Sequence, residues 1–119
     1  MNADKLIAEI KSHPDYPRVG MILCHNGVVR GTSRDGRPVK GLRVAVDHQR
    51  LEQILAEQRG RPGIVDIQVV IAADTDLAVG DDVMLLVVAG DVRETVIAVL
   101  SDTLNAIKQS VTAKTEFFV

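Results

Sequence analysis

Four apolar, β-rich runs arrive along the chain in consecutive pairs, and this ordering limits the fold more than any other feature. Val19–Arg30 and Val39–Val46 form the first pair; Ile64–Ala73 and Val83–Ala89 form the second. Runs of Val, Ile and Leu suit a pleated, half-buried surface. Strands that alternate one by one with helices build doubly wound parallel sheets, whereas strands in succession favour antiparallel pairing in an α+β layer fold. Helical spacing flanks each pair. Leu6, Ile7 and Ile10 stripe an opening helix over Asp4–Lys11, which the His13-Pro14 and Tyr16-Pro17 pairs stop. Leu51, Ile54 and Leu55 repeat within His48–Arg59, and Gly60-Arg61-Pro62-Gly63 ends that element. Val92, Val96, Val99, Leu100, Leu104, Ile107 and Val111 share a broad face of a last helix, whose free amide groups Asp91 is placed to cap. The predicted order is α-β-β-α-β-β-α, with a short strand at Thr115–Phe118. Ser33-Arg34-Asp35-Gly36-Arg37-Pro38 reads as an exposed, flexible loop between the first two strands, and Asp74–Asp82 as a polar connection between the adjacent second two.

A chain of 119 residues supports one domain with a core of its own, so residues 1–119 are read as a single unit. Hydrophobic residues at 46% and charged residues at 25% exclude a disordered or fibrous chain. There is no Trp, one Tyr and 2 Phe, too few aromatic rings for base-stacking platforms, so nucleic acid is not expected as a partner. No uncharged run is long enough for a membrane span. A lone cysteine, Cys24, in an apolar strand reads as a buried, inert thiol, and the absence of a secretory signal suits the cytoplasm.

Charge is distributed unevenly. Residues 30 to 61 hold eight Lys/Arg against four Asp/Glu, whereas residues 64 to 119 hold three against nine. Within the first stretch, Arg30, Arg34, Arg37 and Lys40 surround a glycine-containing loop. Guanidinium forks match phosphate oxygens, and glycine lets the backbone approach a ligand, although a solvated loop has the same pattern. Lys108 and Lys114 form a second cationic cluster, with Arg93 at the start of the same helix. A lysine there serves as acid, nucleophile or anion ligand, or stabilises the helix end through the backbone dipole. Arg93 and Lys108 are fifteen residues apart, about 22 Å along a helix, so one small ligand reaches both only if two chains share a site. His13, His25 and His48 lack the spacing of a zinc site, and no metal is expected.

The ordered series of motifs resembles the large, catalytic subunit of molybdopterin synthase. Gly27-Val28-Val29-Arg30 followed by Asp35-Gly36-Arg37-Pro38-Val39-Lys40-Gly41-Leu42 is similar to that family's G-x-V-R … G-x-x-V-x-x-L stretch, and Leu77-Ala78-Val79-Gly80-Asp81 to its L-x-x-G-D/E turn. Arg93, Ile107-Lys108-Gln109-Ser110-Val111 and Lys114 fall in register with its closing helix and two lysines. The likeness runs from about residue 19 to the end of the chain. It implies an α/β-hammerhead-like α+β fold, a homodimer, and a small ubiquitin-like partner with a C-terminal thiocarboxylate. That partner gives two sulfurs to cyclic pyranopterin monophosphate, forming the dithiolene of molybdopterin, with no resident cofactor. By the same resemblance Lys108 and Lys114 are the catalytic candidates. Arg30 and Arg93, joined by Arg37 and Lys40 of the basic loop, are the substrate-binding candidates.

The chain also departs from the family. Ala72-Ala73 and Val92-Arg93 stand where the family shows His-Arg, and Thr112-Ala113-Lys114 replaces Pro-x-Trp-Lys with one residue fewer. The family's C-terminal extension and its strand before the opening helix are also missing from the reading. A catalytically degenerate homologue that binds the pterin phosphate or the partner without turnover is therefore the alternative, and a homodimer without a ligand is a third.

Overall fold

The computed structural model describes residues Met1–Val119. Helix α1 (Ala3–Lys11) and a 3-10 turn at Tyr16–Arg18 precede strand β1 (Met21–Val28). Then follow β2 (Val39–Val46), α2 (His48–Arg59), β3 (Ile64–Ile71), β4 (Leu77–Ala78), β5 (Asp82–Gly90), α3 (Arg93–Ser110) and β6 (Thr112–Phe118). The α+β class and the antiparallel pairing are those expected. One strand goes beyond the predicted order, the two-residue β4 inside the polar connection, and the predicted closing strand starts at Thr112 instead of Thr115.

The strands form two three-stranded antiparallel sheets, ordered β1-β5-β3 and β4-β2-β6. The second pair of runs, β3 and β5, are neighbours as expected. The first pair are not: β1 joins β5 while β2 crosses into the other sheet, so no hairpin forms between them. The two sheets together stretch the molecule to 48 × 25 × 23 Å.

Strand β5 organises the larger sheet because it is apolar on both faces. Met84, Leu86 and Val88 point to one side, where α2 and α3 contribute Leu51, Ile54, Leu55, Val96, Val99 and Ile107 to the main core. Leu85, Val87 and Ala89 point to the other, against Leu6 and Ile10 of α1. Period-two alternation thus feeds two cores from one strand. A third, smaller cluster of Val29, Leu42 and Val44 sits beneath the second sheet. There Gly41 lets β4 approach, since a Cβ at that position would lie 2.4 Å from the Leu77 carbonyl oxygen.

Three local expectations are corrected. Val92, not Asp91, occupies the N-cap of α3 and makes no side-chain cap bond; the Asp91 carboxylate accepts from the adjacent Val92 N–H at 2.7 Å. Cys24 is exposed, because β1 is an edge strand and α1 covers Ile22 on that face but not the residue beyond it. The Ser33–Pro38 loop is braced, not flexible. Ser33 is buried, its N–H and carbonyl bond Arg37 and Gly36, and its hydroxyl donates to the Asp35 carboxylate.

One polar atom in the core has no partner: Oγ1 of Thr103, a fully buried residue of α3. An unpaired buried hydroxyl costs about 1–3 kcal/mol. Thr103→Val is therefore expected to raise the unfolding free energy by about 1 kcal/mol, read as a higher urea midpoint at unchanged slope. An unchanged or lower midpoint counts against the unpaired hydroxyl.

Candidate functional site

Strands β1 and β2, the loop between them and the α3–β6 junction enclose a cleft of about 350 Å³, within the usual size range of small-ligand sites. Its apolar wall comprises Val28, Leu42, Val44, Ile71, Val83 and Met84. Its polar side carries Arg34, Lys108, Lys114 and His25, and no carboxylate lines it. A fixed apolar wall facing three cations suits a flat organic ligand that carries an anionic group. A second groove between α1 and β3 encloses about 490 Å³, and its only charged side chains are Lys5 and Glu9, of opposite sign.

The two lysines meet because α3 runs into β6 without a loop. Lys108 lies in the last turn of the helix, Val111 caps it, and Thr112 already begins the strand. The Thr112 hydroxyl donates back to the Ile107 carbonyl at 3.4 Å, and the Asp47 N–H bonds the Val111 carbonyl at 2.9 Å. Lys114 then stands opposite Val44 on β2. The segment shorter by one residue than the family pattern thus still delivers Lys114 to the cleft.

The other four cations singled out in the sequence lie outside the lining. The Arg30 guanidinium folds onto the Thr32 carbonyl at 2.8 Å. Arg37 stacks 3.7 Å over the Phe118 ring, which ties the basic loop to β6. Lys40 is exposed on β2. Arg93 is exposed at the far end of α3, paired with Glu94 at 3.2 Å, and about 22 Å of helix separates it from Lys108. Ala72, Ala73 and Val92, where the family pattern has His-Arg and His, are absent from this lining as well.

Two lining residues were in neither the catalytic nor the substrate-binding set that the resemblance implied. Arg34 is one of the four loop cations, yet nothing in the sequence distinguished it from Arg37. His25 was weighed only as a zinc ligand. The available signal was the alternation of β1: Met21 and Leu23 pack into the main core, so His25 and Gly27 are the next residues on that same face. Burial, and then the charge of Lys108, lower the His25 pKa from its ordinary value. In the loop, the Ser33 hydroxyl bond holds the Asp35 carboxyl below its usual range, with the Arg37 charge adding to it.

The family model described as MoaE protein matches residues 1–110, which takes in α1 and stops before β6, whereas the motif likeness began only near residue 19. Among solved structures the chain is similar to molybdopterin synthase from Staphylococcus aureus, with a TM-score of 0.80 at 19% identity, covering 100% of this chain and 86% of that one. It is similar to molybdopterin cofactor biosynthesis protein E from Burkholderia multivorans ATCC 17616, with a TM-score of 0.78 at 24% identity, covering 100% and 84%. A third similar structure is a protein–protein complex of subunits 1 and 2 of molybdopterin-converting factor from Helicobacter pylori 26695, with a TM-score of 0.71 at 15% identity, covering 100% and 84%. At these identities the structures establish the shared fold. No curated protein matches the chain. The match over residues 1–110, on a fold shared with molybdopterin synthases, establishes that the chain belongs to the MoaE family, the large subunits of molybdopterin synthase.

Proposed function

We propose that this chain works in molybdenum cofactor biosynthesis as the sulfur-transferring large subunit of a molybdopterin synthase. The observation that carries the reading is the convergence of Lys108, Lys114 and Arg34 on one apolar-walled cleft. Cyclic pyranopterin monophosphate has a flat ring system for the wall and a phosphate for the cations. A thiocarboxylate arriving from a small subunit is a second anion, and a lysine ammonium stabilises negative charge as sulfur is transferred. Lys108 and Lys114 are the catalytic pair in this reading.

The Helicobacter pylori complex pairs two subunits of molybdopterin-converting factor, which supports a small ubiquitin-like subunit as the partner here. Arg30, Arg37 and Lys40 border the basic loop and attract the phosphate from outside the cleft. Arg93 is too far along α3 to act within its own chain, and a homodimer would bring it to the site of a second copy. Residues 1–119 act as one unit in this reading, in the cytoplasm; no helix is long and apolar enough to cross a membrane.

The test is reconstitution of the purified protein with a thiocarboxylated small subunit and cyclic pyranopterin monophosphate. Molybdopterin is read as its fluorescent oxidised derivative, and partner binding is followed in parallel. Product above the control without this chain is the expected result. Binding of both components without product would instead establish the degenerate homologue that Ala72-Ala73 and Val92 suggest.

A further inference from the structure

We propose that His25 is a catalytic residue of this cleft, the proton acceptor for the water that releases sulfur from its acyl carrier. The proposal rests on the sulfur-transfer reading above. When a thiocarboxylate attacks an electrophilic carbon of the substrate through its sulfur, a new C–S bond forms, a C–O bond at that carbon breaks with its electron pair leaving on oxygen, which solvent protonates, and the carrier becomes joined to the substrate as an acyl thioester. Sulfur stays with the substrate only if the acyl–sulfur bond is then cut. Water supplies the cut: its oxygen bonds the carbonyl carbon, and the C–S bond breaks with its electron pair remaining on sulfur. One proton of the water passes to a base. The carboxylic acid formed on the carrier loses the other to solvent, and the base returns its proton to the thiolate or to solvent. No oxidant or reductant is needed.

The base must line the cleft, carry a free lone pair and be unprotonated near neutral pH. The three cations do not qualify as they stand. Arg34 does not deprotonate, and the reading above already uses Lys108 and Lys114 as ammonium groups that hold the two anions. His25 meets all three conditions. Its ring lies beside Gly27, where a Cβ would stand 3.4 Å from Nε2, and it lines the cleft together with Lys108. Neither ring nitrogen is engaged by a side chain or backbone group of the chain. The backbone of β1 is held by β5, with His25 opposite Leu86, so the ring projects from a rigid strand.

The charged groups that face it from neighbouring elements are all positive: Arg34 from the loop, Lys108 from α3 and Lys114 from β6. Asp82, on β5, is engaged by Asn26, whose side chain leaves β1 on the opposite face. Burial and Lys108 therefore both favour the neutral imidazole. The Lys108 ammonium that adds to burial in disfavouring the imidazolium also lines the cleft, where it is available to hold the carbonyl oxygen as it becomes an oxyanion.

The test compares His25→Gln with the unmodified protein in the reconstituted reaction across pH 5 to 8, with the carrier–substrate species followed by mass spectrometry. A general base contributes about 10²-fold or more, so H25Q is expected to lose at least that factor and to accumulate the acyl thioester. The rate of the unmodified protein should fall on the acid side with the pKa of His25 measured by NMR, a limb that H25Q lacks. A variant that keeps the full rate and the same acid limb overturns the proposal while leaving sulfur transfer intact. An acid limb that does not coincide with the His25 titration overturns it too. Failure of the unmodified protein to make product overturns the sulfur-transfer reading, and this proposal with it.

Discussion

Lys108→Ala is expected to abolish molybdopterin formation while the chain remains folded. The two effects separate because Lys108 is exposed in the last turn of α3, whereas its neighbour Ile107 is fully buried in the main core. Removing the ammonium costs the helix about 0.3–1 kcal/mol of dipole stabilisation, a small part of the stability of a domain of this size. At the site the same change removes one of the three cations that line the cleft, and loss of one oxyanion-stabilising group costs on the order of 10²–10³ in rate. Fluorescent product should disappear while the circular dichroism spectrum and urea midpoint stay close to those of the parent. Lys108→Arg, which retains the charge in a different shape, should recover stability without recovering the rate. Full activity of the alanine variant would remove Lys108 from the mechanism.

Leu86→Ala is expected to give the largest loss of stability from a single side chain. Leu86 is fully buried at the centre of β5, facing the helices α2 and α3. Truncating such a residue costs about 2–5 kcal/mol, because transfer free energy is lost and a cavity remains. At roughly 4 °C per kcal/mol for a domain of this size, the melting temperature should drop by about 10 °C or more. Leu86 is also the cross-strand neighbour of His25, so the variant should weaken activity by loosening the strand that carries the imidazole. A drop smaller than ~1 kcal/mol would mean that the helices collapse onto the vacated space.

Much of the fold was legible in the order of the apolar runs. Helix α2 runs over the expected residues, α1 within one residue of them, and β3 and β5 pair as their adjacency suggested. Lys108 and Lys114 were found through the family's motif order, and the cleft holds both. The missed elements have local causes. Strand β4 has only two residues, too few for any periodic pattern, and it exists because Gly41 admits the Leu77 backbone against β2. The braced loop was read as flexible because Gly, Asp and Pro mark a turn without revealing that Ser33 would be buried within it.

What the sequence determined by itself is the set of elements and their buried faces, since the periods of two and 3.6 follow from local backbone geometry. It also named the two lysines, through their place in the order of the family's motifs. The tertiary structure alone decided which strands share a sheet and which side chains share a cleft. Strand β1 pairs with β5 across more than fifty residues of chain, and β2 with β6 across a similar distance. Such pairing depends on complementary faces meeting in space, which no local window of sequence encodes. That choice set Arg34 and His25 beside Lys108 and left Arg30, Arg37, Lys40 and Arg93 outside the lining, although all six had the right chemistry to serve there.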